Sequence, residues 1–161
     1  MAARILTVLA LLLTVSQAGA DQARSNFLER EIPGAHVGLV LNHIQAAIHE
    51  AGFTFTRIQN VDQGLAAKGF DRPPYKIVFF GDRKAFEEAR RIDPRVIPYL
   101  PLKITIYEGD EGDTHLSVVN PTVVGRMFNP GLQEQFRNWS RDISRILDQT
   151  VQEVRGRTFS P

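Results

Sequence analysis

The chain has 161 residues, carries 19 Lys and Arg against 18 Asp and Glu, and contains no Cys. A balanced chain lacks the basic excess of a nucleic-acid-binding surface, and without Cys there is no thiol nucleophile, disulfide, thiolate metal site or attached c-type haem. The length suits one domain of roughly 100–150 residues, with a core large enough to fold without disulfides.

In chain order, residues 1–20 read first as a cleavable secretory signal peptide. Arg4 supplies a short positive start, residues 5–15 are an apolar run, and Ser16 and Gln17 end it. Ala18, Gly19 and Ala20 then fit the peptidase subsites and place the cut before Asp21. The run is shorter than the roughly 20 apolar residues a spanning helix needs, and neither a twin arginine nor a lipoprotein Cys accompanies it. The expectation is an exported protein, periplasmic in a Gram-negative bacterium and secreted otherwise, with no stable membrane anchor. Residues 21–161 are then its single domain.

Residues 26–32 predict a first strand of weak alternation, and Pro33-Gly34 breaks the chain after it. Val37, Leu41, Ile44 and Ile48 recur at helical spacing, with Gly52 closing that helix. Residues 53–56 alternate as a half-buried strand, and Asn60 opens a short helix that runs through Lys68 and stops at Gly69. Residues 75–80 form a nearly continuous apolar run, which predicts a strand buried on both faces. Asp82 is placed to cap a helix over residues 83–92, and Pro94, Pro98 and Pro101 keep the next segment irregular. Residues 102–108 and 114–119 predict a hairpin across the Gly- and Asp-rich turn at 109–113. Asn120-Pro121 leaves the sheet, and Asn129-Pro130 starts a long last helix. Along it Leu132, Phe136, Trp139, Ile143, Leu147 and Val151 form one apolar stripe. This order predicts an α+β fold: a two-layer sandwich of a mainly antiparallel sheet packed with helices.

Several of these residues also carry a family resemblance. Val78-Phe79-Phe80-Gly81 at a strand end, Asp93-Pro94 after a helix, Leu100-Pro101 opening a strand that ends in Tyr107-Glu108, and Asn120-Pro121 beyond a Gly-Asp hairpin stand in a characteristic order. With residues 48–53 upstream, the chain resembles the family called domain of unknown function 302. The resemblance implies a small TATA-binding-protein-like α+β fold, often a homodimer, with no agreed activity. This sequence departs from the family pattern where Asp82-Arg83 replaces Asn-Pro after the strand glycine. Leu102 stands where some exported relatives carry a Cys, so a thiol-based role does not transfer.

The candidate ligand-binding residues gather at predicted strand ends: Gly81, Asp82 and Lys84 after one strand, Pro101 and Lys103 at the start of another, Glu108 and Asn120 on the hairpin. A glycine there lets a ligand approach the backbone, and a helix start offers amide donors to an anion; the plainer roles are a helix cap for Asp82 and solvated side chains for Lys84 and Lys103. His43 and His49 are six apart, unlike the i, i+4 spacing of a helical zinc pair, and no sequence motif calls for a metal or cofactor. The acidic cluster Glu108, Asp110, Glu111 and Asp113 reads as a solvated hairpin tip, and no serine lies in a nucleophile-elbow context. The leading expectation is an exported, non-enzymatic accessory module holding a small ligand or a partner protein. The alternatives are a small enzyme with acid–base chemistry from Asp82, Glu108 and a nearby Lys or His, and a metal or redox accessory protein.

Overall fold

The computed structural model describes residues 26–158, so the predicted signal peptide lies outside the described residues. Five strands form one sheet: β1 (Phe27–Ile32), β2 (Thr54–Asn60), β3 (Tyr75–Gly81), β4 (Leu102–Glu108) and β5 (Thr114–Val119). Their order across the sheet is β1-β5-β4-β3-β2, and every neighbouring pair is antiparallel. The helices are α1 (Val37–Glu50), α2 (Val61–Ala66), α3 (Arg83–Ile92), α4 (Pro121–Gly125) and α5 (Gln133–Thr158), with short 3-10 helices at Pro94–Tyr99 and Pro130–Leu132. The result is the expected α+β arrangement of one antiparallel sheet layered with helices.

Strict alternation builds the sheet's inner face. Leu102, Ile104 and Ile106 on β4 and Thr114, Leu116 and Val118 on β5 all turn inward and are buried. The hairpin between them is closed by the Gly109 N–H donating to the Asp113 carbonyl at 2.8 Å, and Gly112 adopts the left-handed φ of 81° that the turn requires. On α1, Val37, Val40, Ile44, Ala47 and Ile48 repeat at spacings of three and four and are buried to the same side. Gly52, with φ 84°, ends that helix; its N–H donates to the His49 carbonyl while the Phe53 N–H reaches back to Ile48.

α5 closes the core from above α1 and β1. Phe136, Trp139, Ile143, Ile146, Leu147 and Val154 are each at most 1% exposed, and burial of one such side chain contributes roughly 1.5–3 kcal/mol. The buried His43 Nδ1 lies 3.0 Å from Glu153 Oε2, joining α1 to α5. Arg30 on β1 donates from Nε to Asp148 on α5 at 2.7 Å. The short helix α4 fits against α5 only because Gly125 has no side chain: a Cβ there would stand 2.7 Å from the Phe136 ring.

The structure corrects the sequence reading in four places. β2 runs to Asn60 rather than stopping at residue 56, because a register shift between Phe55 and Arg57 interrupts its alternation. α2 is correspondingly shorter than 60–68, and Asn60 makes no side-chain cap. α4 was not expected. β3 is buried on one face only: Val78 and Phe80 are fully buried, but Tyr75, Ile77 and Phe79 are half-buried, because the helices cover only the other side of the sheet.

Candidate functional site

The residues singled out from the sequence separate into two groups. Gly81, Asp82, Lys84, Pro101, Lys103 and Asn120 lie at the end of the sheet where β3 and β5 finish and β4 begins; Glu108 lies at the opposite end of β4. Several of the first group have evident structural work. A Cβ on Gly81 would fall 2.0 Å from Phe86 Cζ, so this glycine admits a ring, not a ligand. The Asp82 carboxylate accepts the Ala85 N–H at 2.6 Å and caps α3. Asn120 caps α4 by accepting the Thr122 N–H at 3.0 Å, and it also accepts the Ser140 hydroxyl at 3.0 Å from α5. Lys84 is solvent-exposed, Pro101 follows a cis peptide bond, and the Lys103 ammonium stands 5.9 Å from the centre of the Tyr99 ring. Asp82 and Glu108 are separated by the seven-residue length of β4, about 20 Å at strand rise, and so cannot serve one reacting atom as acid and base.

The open face of the sheet holds an arrangement that the sequence reading did not single out. Register places Tyr75 opposite Tyr107, Tyr107 opposite His115, and His115 opposite Glu31 in one row across four strands. The Tyr107 and His115 rings stack with centroids 5.1 Å apart and planes 14° apart. Gly109 makes room for this, since a Cβ there would lie 2.5 Å from His115 Nε2. Tyr75, Thr105, Tyr107 and His115 form the floor of an open depression of about 530 Å³. Its sides are Arg72 to Pro74 and Glu108 to Asp110. The Pro74 carbonyl accepts the Glu108 N–H at 3.0 Å, which ties one side to the other. A second depression of about 400 Å³ shares Tyr107 and His115 and adds Glu29 and Glu31.

The signal for this row was present in the sequence. Once residues 109–113 are read as a hairpin turn, 108 pairs with 114 and 107 with 115, so Tyr107 and His115 become cross-strand neighbours. The contribution of Arg72 to Pro74 depends on the tertiary placement of a loop, which periodicity does not encode.

The carboxylates of the molecule differ in how they are paired. Asp93, buried beside the 3-10 helix at Pro94, is held well below the usual carboxylate range by the Arg95 guanidinium and by N–H donors from Asn129 and Arg95. Burial pushes the Tyr99 hydroxyl up. Lys76 donates to both carboxylate oxygens of Asp62 at 2.8 Å. By contrast, Glu31, Glu108 and Asp110 take part in none of the ion pairs among the described residues. Also among the described residues, no three His, Asp or Glu side chains gather as a metal-binding group, and no helix is long and apolar enough to cross a membrane.

A family model described as domain of unknown function DUF302 matches residues 29–150. Among solved structures, the chain is similar to the crystal structure of an uncharacterized conserved protein DUF302 from Bacillus stearothermophilus, with a TM-score of 0.71 and 20% sequence identity. That likeness covers 78% of this chain and 98% of the other, and it is a likeness of fold. No curated protein matches the chain.

Proposed function

The chain belongs to the family of the domain of unknown function DUF302, and from that premise we propose that it is an exported binding module whose open sheet face holds a small ligand or a partner protein. The observation that carries this reading is the one-sided burial of the sheet. Five strands are packed by helices on one face, while the other presents half-buried aromatic side chains and a depression of about 530 Å³. Concave sites of a few hundred Å³ with a few polar groups set among apolar and aromatic walls are where small molecules bind. The first twenty residues supply the export half of the reading, as a charged start, an apolar run and small residues before Asp21.

Two measurements test it. Sequencing the N-terminus of the protein from the exporting compartment gives Asp21 first; a product that keeps residues 1–20 contradicts export by a cleaved leader. Native mass spectrometry of the same material detects a bound species that is lost when Thr105→Trp fills the floor of the depression. A bare monomer in every preparation, or a complex indifferent to Thr105→Trp in a variant that is still folded, contradicts the binding face.

A further inference from the structure

Around the Tyr107–His115 stack the open face combines carboxylates that join no ion pair among the described residues, and aromatic rings that no described cation covers. Of these carboxylates, Glu29 accepts the Ser117 hydroxyl at 3.2 Å. Glu108 and Asp110 border the larger depression against one cation, Arg72, and Glu29 and Glu31 border the smaller. Arg30, the cation beside them, is committed to Asp148 at 2.7 Å and to the Ser144 hydroxyl at 3.2 Å. Toward the other end of the same face, Phe79 is already covered: the Arg57 guanidinium carbon sits 4.5 Å from its ring centre. Among the described residues no Lys or Arg sits over Tyr75 or Tyr107 in this way.

We propose that the depression binds an organic cation, an ammonium or quaternary ammonium group carried on a flat or compact apolar body. This names the ligand class of the open face and rests on the reading of that face as a binding surface. The negative face of a tyrosine ring attracts a cation placed within about 6 Å, and nearby carboxylates add attraction that water only partly screens. The same carboxylates repel an anion, and a neutral ring gains only the stacking. The walls are set before any ligand arrives. The Glu108 N–H bonds to Pro74, the Gly109 N–H bonds to the Asp113 carbonyl, and the Asp113 side chain accepts the Gly34 N–H at 3.0 Å. The His115 ring lies against Gly109 on one side and Tyr107 on the other. A preformed site loses less freedom on binding, which favours a small ligand over a segment that must fold onto the face.

The test is titration of the purified chain with benzyltrimethylammonium, followed by the NMR signals of the Tyr and His rings, with benzyl alcohol as the neutral control and benzoate as the anionic one. Benzyltrimethylammonium is expected to shift Tyr75, Tyr107 and His115 and to bind more weakly as salt is raised. Benzoate is expected to leave those rings unchanged, and benzyl alcohol, which has only the stacking, to shift them at about tenfold higher concentration or above. Tyr107→Leu should weaken binding about tenfold, as loss of a cation–ring contact does. Glu108→Gln with Asp110→Asn should weaken it several-fold, with the rest of the spectrum unmoved to show an intact fold. Benzoate or benzyl alcohol shifting the same rings at the concentrations at which benzyltrimethylammonium does overturns the cation assignment while leaving a binding face in place. Silence of these rings toward all three probes also overturns the assignment; silence toward everything co-purifying from the exporting compartment overturns the face as well.

Discussion

Under α1 and α5 the sheet presents Val78, Phe80, Leu102, Ile104, Ile106 and Leu116, none more than 1% exposed, while on the opposite side of the same strands Tyr75, Ile77, Phe79, Thr105, Tyr107 and His115 stay half-buried. The two faces share one backbone and one set of ladder hydrogen bonds, so the difference between them is entirely one of side chains and what covers them. The inner face is specified by volume. Several rings packed beneath it meet edge to face, as Phe53 does with Phe80 at 5.4 Å and Phe86 with Trp139 at 6.0 Å. The outer face is specified by chemistry: hydroxyls, an imidazole and carboxylates around a concavity. A fold can spend one face of a sheet on stability and keep the other for recognition only if the first alone suffices.

Substitutions that probe each face should therefore differ in kind. The largest effect is expected for Trp139→Ala, which removes a fully buried ring and should cost about 3–5 kcal/mol in urea unfolding. A loss below about 1 kcal/mol would mean that the inner face is not the stabilising one. Gly125→Ala and Gly81→Ala add a Cβ against the Phe136 and Phe86 rings and should each cost roughly 1–3 kcal/mol by overpacking. Asp82→Ala, which removes the α3 cap, should cost about 1 kcal/mol while leaving any ligand of the outer face bound. That result would separate the cap from the site.

Acid should act on the structural side as well. The folded-state pKa of Asp93 lies below its unfolded value, so the stability it contributes is present above about pH 4 and is lost as the pH falls further toward the folded-state value. Asp93→Asn should lower stability at neutral pH and flatten the acid limb of a stability-against-pH curve. An unchanged acid limb would show that Asp93 does not couple the 3-10 helix to Asn129. The smallest effect belongs to the outer face, where Ile77→Thr should stay within about 0.5 kcal/mol of the parent chain.

How much of this was legible in the sequence follows from which signals are local. The hairpin strands at 102–108 and 114–119 and the helix at 83–92 fall where alternation, Gly-Asp turn chemistry and the Asp82 cap put them. Gly52 closes α1 for a reason readable in one residue. Alternation alone ends β2 at residue 56, four residues short of Asn60, because the irregularity at Phe55 and Arg57 breaks its period. The run at 75–80 predicts burial on both faces, against the one-sided burial found, because an apolar stretch does not say how many layers will cover it. The expected site residues were strand-end residues, several of which proved to be caps and packing contacts. Glu108, the exception, sits on the wall of the depression. Tyr107 and His115 were accessible through the hairpin register, whereas the Arg72 to Pro74 side was not, since it reaches the depression through a loop.

Two aromatic residues on adjacent strands allow the most direct test: Phe80 on the inner face and Tyr107 on the outer, each replaced by Ala and measured both for urea unfolding and for benzyltrimethylammonium binding. Phe80→Ala should lose about 3–5 kcal/mol of stability, and what remains folded should still bind. Tyr107→Ala should lose about 1 kcal/mol or less, the scale of one cross-strand aromatic pair, and its affinity should fall about tenfold. A Tyr107→Ala chain as damaged as Phe80→Ala, or one that binds as the parent does, would contradict the division of work between the two faces.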